Sequence, residues 1–380
     1  PNLLLVGFQL PTGSVYQYDH TQPQLLKAAF DWIKLHGYTL VGYNSQRYDD
    51  LVISEYLRNP DINFVYETSV SLVQGAIKSW EIENTIWSVD LMPIIPGWNS
   101  LKKLGICMGH ELLQELPIRY DKALTYEEGK IIRSYNVNDL IITRKLLIEI
   151  HSELELRQAL SDTYGLDLRS KGDAQIAETV LLQESGGNKA ALRKTAEDQL
   201  QTLDQVIVDP PTWWRQLPVT QYHQLQEVID KANTIFGRPI PMTPGLRLSS
   251  SSLSDTFYFG DKYYSLGVGG LHSVDGAGAY IPKVDELLVD IDVASYYPNI
   301  MLTQNLGPRH WGADFQKVFR SIVERRLDAK RNGRKTEADV LKIVVNSTYG
   351  KTADIWSPLC DPQVTAGVTV TGQIALLVLI

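Results

Sequence analysis

Apolar and polar positions recur along the first part of the chain in the patterns of both strands and helices. Two short apolar runs flank a Pro-Thr-Gly turn, which predicts a β-hairpin. The predicted elements are a hairpin at 3–8 and 15–18, a helix at 24–35, strands at 39–43 and 86–91, and helices around 100–107 and 126–152. Strands mixed with helices over this length predict an α/β domain at 1–152.

The pattern is less regular beyond this domain. Residues 153–250 are largely helical by their spacing, with a Gly-Gly-Asn break at 186–188 and a proline-rich segment at 210–217. The serine run 249–252 is typical of a linker. From Tyr263 the chain becomes strand-like, and after Phe315 it becomes helical.

The last apolar run, 364–380, is shorter than the ~20 residues that usually span a membrane. It also contains three threonines and Gln373. We therefore predict a buried core helix and no membrane association. Residues 1–3 lack the basic leader of a signal peptide, so we expect a cytoplasmic location.

Composition and charge narrow the class of protein. The 380 residues are 44% hydrophobic and 21% charged, which suggests two or three soluble domains. The two cysteines, Cys107 and Cys360, lie far apart without a CxxC pattern and indicate neither a disulfide framework nor a zinc site. The net charge is −8, yet the segment between Lys317 and Lys351 contains ten Lys and Arg residues and only four Asp and Glu residues. Binding of a polyanion depends on such local patches more than on net charge.

Carboxylates recur in two segments of the predicted domain at 1–152. Asn44 and Asp49 follow a predicted strand, and Tyr135 and Asp139 lie one turn apart on a predicted helix. Phosphodiester hydrolysis by two Mg²⁺ ions needs carboxylates that converge on ions ~4 Å apart, and a tyrosine beside them can orient the attacking water. Structural explanations stay open: Asp49 can cap a helix, Asp139 can be a surface acid, and Asp50 competes with Asp49.

The order of these motifs resembles family B DNA polymerases. Asn-x3-Tyr-Asp followed by Tyr-x3-Asp resembles their second and third exonuclease motifs. Between them, residues 100–104 (Ser-Leu-Lys-Lys-Leu) resemble the motif that holds the primer end, although the same string is also an ordinary helix start. The resemblance implies Asp49 and Asp139 as metal ligands, Tyr135 as catalytic, and three DNA-binding residues: Asn44, Ser100 and Leu101.

One departure concerns the first exonuclease motif, Asp-x-Glu, which the sequence lacks. Residues 1–8 are similar to the residues that come directly after that motif in the family. We expect the pair a few residues upstream, and we expect the chain as it stands to be a poor nuclease.

A second group of candidate residues begins at an alternating run. Residues 287–293 predict a strand with Asp290 and Asp292 on one face. Two like charges at this spacing need a cation or water to compensate them. The string Asp-x-x-Ser-x-Tyr-Pro that starts at Asp292 resembles motif A of the same family.

The resemblance to motif A implies a role for each residue. Asp292 would bind both catalytic metals, and the backbone amides of Ser295 and Tyr296 would contact the triphosphate. Tyr297 would exclude a ribose 2′-hydroxyl. Position 296 is leucine in many members of the family, and Asp290 is predicted to be a bystander.

Two helical segments further on provide cations. Lys342, Asn346 and Tyr349 share one helix face and precede Gly350, which permits close backbone approach. A polar stripe explains the spacing, but the string Lys-x3-Asn-Ser-x-Tyr-Gly resembles motif B. It implies that Lys342 and Asn346 bind the nucleotide and that Tyr349 and Gly350 contact DNA.

Upstream of motif B, Arg326 and Lys330 continue an apolar helical stripe. They resemble the Arg-x3-Lys pair that grips the β- and γ-phosphates in this family. Cations placed there stabilise charge during phosphoryl transfer. Arg325 lies off this face and is predicted to be solvated, and 331–335 is predicted to be an exposed turn.

A glycine-rich loop precedes motif A. It lies where the family has a Tyr-x-Gly-Gly motif that contacts template DNA, which implies Gly269 and Gly270 as DNA-binding residues. His272 is predicted to form a local hydrogen bond rather than to bind metal.

These observations predict an α/β and α+β multidomain protein. An RNase-H-like 3′→5′ exonuclease domain would be followed by part of a right-hand polymerase with a palm and two-helix fingers. The predicted domains are the exonuclease at 1–152, a helical connector at 153–262, palm at 263–307, fingers at 308–350 and further palm at 351–380. Motif C and the thumb are expected beyond Ile380, and we expect the chain alone to be inactive.

The resemblance also implies the reaction and its partners. The parent protein would be a DNA-directed DNA polymerase with proofreading, of the phage or plasmid type, in the host cytoplasm if phage-encoded. Its partners would be a DNA primer-template and dNTPs, with two Mg²⁺ per active site and Mn²⁺ as a substitute. Only 50 positions separate Asp292 from Lys342, which leaves no room for the insertions of protein-primed members. We therefore expect no priming by a terminal protein.

Two other classes of protein stay open on the sequence alone. A stand-alone RNase-H-like exonuclease explains 1–152 but leaves the later motifs unexplained. A non-catalytic DNA-binding remnant predicts salt-sensitive DNA affinity without turnover.

Overall fold

The computed structural model describes residues 3–97, 99–116, 118, 124–218, 220, 224–243, 247–248, 255–259, 262–267 and 269–380. The chain divides into two units, Pro1–Gly172 and Asp173–Ile380, and both combine helices with small sheets. The protein is therefore of mixed α/β class. The five predicted domains stay predictions within this division, and the predicted serine linker at 249–252 lies outside the described residues.

The first unit, unit 1, is built from two pairs of strands and six helices among its described residues. In chain order they are β1 (Leu5–Gln9), β2 (Val15–Asp19), α1 (Pro23–Leu35), β3 (Leu40–Gly42), α2 (Asp49–Arg58), α3 (Ile62–Gln74), β4 (Ser88–Asp90), α4 (Leu101–Cys107), α5 (Tyr126–Glu149) and α6 (His151–Tyr164). Strands β1 and β2 are antiparallel, and β3 and β4 are parallel with Gly42 opposite Asp90. The predicted hairpin, strands and helices of this region are confirmed to within a few residues.

Two apolar clusters hold unit 1 together. One joins the β1–β2 hairpin to α1, α2 and α3 through the buried side chains of Leu26, Val52 and Tyr56. The other joins β4 to α5 through Leu91 and Leu146. Burial of such side chains is the main source of folding free energy, and here it fixes α5 against the strands.

Strand β1 approaches α5 closely at a glycine. A Cβ atom at Gly7 would lie 2.2 Å from Asn136 Oδ1 and 2.9 Å from Leu140 Cδ1. The Asn136 amide oxygen is held there because it accepts a hydrogen bond of 2.8 Å from Gln17 Nε2 on β2. The hairpin therefore sits directly on the helix that contains Tyr135 and Asp139.

The second unit, unit 2, has more helix and two small sheets among its described residues. Its elements are α7 (Asp173–Ser185), α8 (Lys189–Gln201), β5 (Gln205–Ile207), α9 (Gln224–Asn233), β6 (Pro239–Thr243), β7 (Arg247–Leu248), β8 (Asp255–Phe259), β9 (Lys262–Leu266), β10 (Leu271–Ser273), α10 (Tyr296–Thr303), α11 (Ala313–Arg331), α12 (Lys335–Thr352) and α13 (Pro362–Leu379). Strands β5–β6–β7 and β8–β9–β10 form two antiparallel sheets. The sequence pattern missed β5 to β7, because these strands are short and β6 contains two prolines.

The predicted strand at 287–293 is wrong. The described stretch between Ser273 and Tyr296 contains no helix and no strand, and Leu287 and Ile291 are 85% and 79% exposed. A strand requires a hydrogen-bonding partner, and none of the described segments pairs with this one. The shared face predicted for Asp290 and Asp292 is therefore not formed in this structure.

Helix α13 is the buried helix that the sequence predicts. Among the described residues it alone has the length and apolar composition of a membrane span, and 72% of that stretch is buried. Its side chains Ala366, Val370 and Ile374 belong to the core that also contains Trp214 and Ile240. Its packing is that of a core helix.

A buried carboxylate connects α7 to the end of α12. Glu178 is 6% exposed, and its Oε2 lies 3.4 Å from Lys351 Nζ. It also pairs with Lys189 at 2.7 Å and accepts a hydrogen bond of 3.0 Å from Ser357 Oγ. A buried charge requires such partners, so this network fixes the C-terminal end of α12.

We predict that Gly7→Ala destabilises unit 1 by about 1–3 kcal/mol, because the added methyl group overpacks the β1–α5 contact. Gly129→Ala is the matched control: this glycine lies in α5, and a Cβ atom there would meet no atom within 4 Å. Its substitution should stabilise the helix by up to about 1 kcal/mol. Urea unfolding checks both values, and equal effects of the two variants would contradict the close packing.

Candidate functional site

Four acids of unit 1 lie close together and form what we call the carboxylate cluster: Asp49, Asp50, Asp90 and Asp139. Asp49 and Asp50 begin α2, Asp90 ends β4, and Asp139 lies on α5. The carboxyl ends of the parallel strands β3 and β4 are adjacent, which brings Asp90 to the start of α2. In addition to burial, the charges of Asp50, Asp90 and Asp139 raise the pKa of Asp49, and the charge of Asp90 raises the pKa of Asp50.

Asp90 is the structural member of the cluster. It is 1% exposed, and its oxygens accept hydrogen bonds from the backbone N–H groups of Asn44 (2.8 Å), Gln46 (3.4 Å) and Met92 (3.0 Å). Burial raises the pKa of Asp90, and these three donors oppose that shift. The contact holds Asn44 in the left-handed region at φ 59°. The sequence motifs do not select Asp90. Its position at the end of a strand that pairs with β3 is the signal that could have identified it.

Asp50 also serves the fold. It is buried, and Ser88 Oγ donates a hydrogen bond of 2.6 Å to its Oδ2. Asp49, by contrast, is exposed to solvent and occupies the first position of α2, whose cap residue is Tyr48. The helix-cap explanation of Asp49 is therefore wrong, and of the two acids Asp49 is the one available to a ligand.

Asp49 and Asp139 line the same two cavities, of about 280 and 310 Å³, and Tyr135 lines the larger one. Asp139 Oδ1 is buried and has no hydrogen-bond partner among the described residues. The pKa of Asp49 is raised to about 7, first by burial of its carboxyl group and then by the charges of Asp50, Asp90 and Asp139. The residue as a whole is nevertheless exposed to solvent. Two carboxylates beside a cavity, one of them with an unpartnered buried oxygen, are suited to a cation.

Tyr135 lies one turn before Asp139 on α5, as predicted from their spacing. Burial raises the pKa of the Tyr135 phenol, and the charge of Asp139 adds to this shift. The hydroxyl therefore stays protonated near neutral pH and can donate a hydrogen bond to a ligand in the cavity.

The predicted primer-end residues have different positions. Ser100 caps α4, because its Oγ accepts a hydrogen bond of 3.2 Å from the Lys103 backbone N–H. The ordinary explanation of this string, a helix start, is therefore confirmed. Leu101 lines the 280 Å³ cavity together with Asp49 and Asp139.

The fit of a magnesium ion differs between the two units. In unit 1, the unpartnered oxygen of Asp139 and the crowded carboxyl of Asp49 fit Mg²⁺, which binds proteins through one or two carboxylates plus substrate phosphates. Within the described ranges, no group of three or more His, Cys, Asp or Glu side chains is arranged to hold a metal ion. In unit 2, Asp292 is exposed in an irregular segment.

In unit 2, some of the predicted nucleotide-binding and DNA-binding residues are in contact near the start of α10. Ser295 has a left-handed backbone with φ 50°, and its Oγ accepts a hydrogen bond of 2.6 Å from Arg326 Nη1 on α11. The ring of Tyr297 lies 4.6 Å from that of Tyr349 on α12, measured between centroids. These two contacts join the start of α10 to α11 and to α12.

Two further contacts fix the tyrosines. Tyr296 Oη donates a hydrogen bond of 2.5 Å to the Gly372 carbonyl on α13, and burial raises the pKa of Tyr296 to about 12. Tyr297 Oη donates to the Gly269 carbonyl at 3.4 Å, which brings the glycine-rich loop to the same place. The tyrosine at position 296 is thus explained by its hydroxyl contact with α13.

The other predicted residues of unit 2 lie at the surface. Lys330, Lys342, Asn346, Gly350 and His272 are exposed, and Gly270 is half-buried.

Two predictions about α11 have different outcomes. Arg325, predicted to be solvated, instead forms an ion pair of 2.6 Å with Glu184 on α7, because α7 packs along α11. The exposed turn at 331–335 is confirmed between the two helices.

Comparison with known proteins gives no family. No protein-family model matches the chain, and no curated protein matches it either.

We predict that Asp49 makes the metal-free protein less stable as the pH rises from about 4 to about 8. Its pKa is about 7 in the folded protein against 3.8 in the unfolded chain, so its favourable contribution is complete below pH 3.8 and is lost as the pH rises through 7. Asp49→Asn should reduce this loss by about 1 kcal/mol, less than the ~4 kcal/mol of the full shift, since the residue is exposed.

Urea unfolding in EDTA across this pH range measures the effect. Asp31→Asn is the matched control, because Asp31 is an exposed acid on α1 of the same unit. An unchanged pH dependence in Asp49→Asn would show that the crowding of the carboxylate cluster has no energetic consequence.

Proposed function

We propose that this chain contains the nuclease part and the nucleotide-binding part of a DNA-directed DNA polymerase of family B. In this proposal, unit 1 is an RNase-H-like 3′→5′ exonuclease, and the last part of unit 2 is palm and fingers. The reaction is transfer of a nucleotide from a dNTP to a primer 3′-hydroxyl, with proofreading of the new end.

One observation supports the proposal most strongly: the convergence at the start of α10. Ser295 and Arg326 are 31 positions apart, and Tyr297 and Tyr349 come from different motifs, yet each pair is in contact. The resemblance to motif A, to motif B and to the Arg-x3-Lys pair selects these same four residues. If the similarity of these separate strings arose by chance, there would be no reason to expect their residues to be in contact.

The chemistry of the arrangement is that of triphosphate binding. The backbone N–H groups at the start of α10 and the Arg326 guanidinium suit phosphate oxygens. Arg326 has a half-buried position, so its charge is less screened than that of the exposed Lys330. The Tyr297 ring, held between Tyr349 and the glycine-rich loop, would exclude the 2′-hydroxyl of a ribonucleotide.

In the nuclease site, the residues of unit 1 would bind and orient the strand end. Asp49 and Asp139 would hold Mg²⁺, and Tyr135 would donate a hydrogen bond that orients the attacking water. The bound ion would neutralise the carboxylates and polarise the phosphate. Asp90 and Asp50 would keep the loop and α2 in place.

A second candidate is DNA binding without turnover. Asp292 lies exposed in an irregular segment, and the described residues contain no group of three metal-binding side chains. These observations are the ones expected of a protein that does not assemble the transfer site. The stand-alone exonuclease gives no reason for the contacts at α10.

Primer extension by the intact gene product that contains these residues tests the proposal. We expect Asp292→Asn to reduce extension by at least about 10³-fold, because it removes the carboxylate that would bind the metals, and to leave 3′→5′ degradation in place. Asp290→Asn, two residues away, should keep extension near the wild-type rate. Extension that survives Asp292→Asn would contradict the polymerase and leave the nuclease. DNA affinity without any extension would favour the non-catalytic binder.

The α10 convergence has its own test. Arg326→Ala should lower kcat/KM for dNTPs by about 10²-fold, because a charge-assisted phosphate contact is lost. Arg331→Ala, at the exposed end of the same helix, is the control and should change it less than about threefold. Equal effects of the two variants would contradict a phosphate contact at Arg326.

A further inference from the structure

Lys102 is a cation at the edge of the carboxylate cluster. Its Nζ lies 5.3 Å from the centroid of the Tyr135 ring and 2.7 Å from Glu115 Oε2. Its side chain is 22% exposed, so it is largely enclosed yet reachable from solvent. In the string Ser-Leu-Lys-Lys-Leu, position 102 is one of the two that the resemblance leaves unspecified.

The charges of the acids in the carboxylate cluster indicate a function of Lys102 beyond stabilising the fold. Burial raises the pKa of Asp139, and the charge of Lys102 opposes that shift, so the ammonium group acts directly on Asp139. Arg47 acts in the same way on Asp90. Asp49, Asp50 and Asp139 line the cavities. The negative charge of a phosphodiester that enters there therefore needs a cation near Tyr135 and Asp139.

The present partner of Lys102 is easily exchanged. Glu115 is 82% exposed and belongs to an irregular segment, so its ion pair with Lys102 is screened and contributes little. Burial acts to lower the pKa of Lys102, but the contacts with Glu115 and Tyr135 outweigh it and raise the pKa. The group is therefore charged whenever an anion arrives.

We infer that Lys102 binds a phosphate of a single-stranded DNA end at the carboxylate cluster, and that it exchanges Glu115 for this phosphate. The inference rests on the proposed nuclease function of unit 1 and adds one residue to it. Lys102 would stabilise the anion that the acids repel, and Glu115 would occupy the ammonium group while the site is empty.

Salt-dependent DNA binding by the full 380-residue chain tests the exchange. The probe is a fluorescent oligonucleotide of about ten thymidines, and anisotropy is recorded in EDTA between about 50 and about 200 mM salt. Lys102→Met should weaken binding by about tenfold at the lowest salt and reduce the slope of log K against log salt by about 0.7, the value for one lost contact with a single strand. Lys102→Arg should keep most of the affinity.

Glu115 gives a prediction of opposite sign. Glu115→Gln should strengthen binding by about threefold, because the competing anion is removed. In the Lys102→Met background the same substitution should have no effect, since the two residues act on one another.

Lys103→Met is the matched control, because Lys103 is the next residue of α4 and is exposed. It should leave the slope unchanged. Thermal unfolding shows whether each variant is folded.

The outcomes separate this inference from the proposed function. Wild-type binding with an unchanged slope in Lys102→Met overturns the inference alone, as does weaker binding by Glu115→Gln. A wild-type chain that shows no salt-dependent binding overturns both. If Lys102→Met unfolds the chain, Lys102→Arg and Glu115→Gln still decide, because loss of binding in the arginine variant contradicts a phosphate contact.

Discussion

The geometry of unit 1 depends on a carboxylate that does not face the solvent. Asp90 accepts three backbone N–H groups from two separate loops, and this supply of donors is what allows a buried charge. The contact fixes the loop that contains Asn44 and thereby the direction in which α2 begins. The orientation of Asp49 follows from a hydrogen-bond pattern around a different acid.

The carboxylate cluster is organised by how many donors each acid receives. Asp90 has three backbone donors, and Asp50 has the hydroxyl of Ser88. Asp139 retains a buried oxygen without a partner among the described residues, and Asp49 is raised in pKa by its neighbours. Asp49 and Asp139 are the two acids of the cluster that line both cavities. The oxygens of Asp90, by contrast, are occupied by backbone donors.

Helix α12 of unit 2 has a buried side and an exposed side. The buried side of α12, with Val344 and Val345, packs in the core, while Lys342 and Asn346 face solvent on the same helix. The ion pair between Lys351 and Glu178 lies two residues beyond Tyr349. The ion pair thus fixes the end of the helix that places the Tyr349 ring beside Tyr297.

The sequence predicts what depends on local spacing. The long helices α1, α5, α11, α12 and α13 follow from apolar periodicity, and the pair Tyr135 and Asp139 follows from helical geometry. Pairing between distant segments is not encoded locally. Strands β5 to β7 have two to five residues each, and the run 287–293 has strand composition but no partner among the described residues.

The same limit applies to the candidate site. The role of Asp90 requires the N–H of Asn44, 46 positions away. The role of Lys102 requires Tyr135 and Glu115 to come together around it. Such relations exist only in the folded chain.

The exposed run 287–293 has a consequence for the protein in concentrated solution. Alternating apolar residues of strand composition can add edge to edge to the same segment of a second copy and so start aggregation. Asp290 and Asp292 interrupt this run, and an in-register pair of copies would bring like carboxylates into direct opposition. The charge of Asp290, which has no role in the proposed chemistry, therefore opposes such pairing of neighbouring copies.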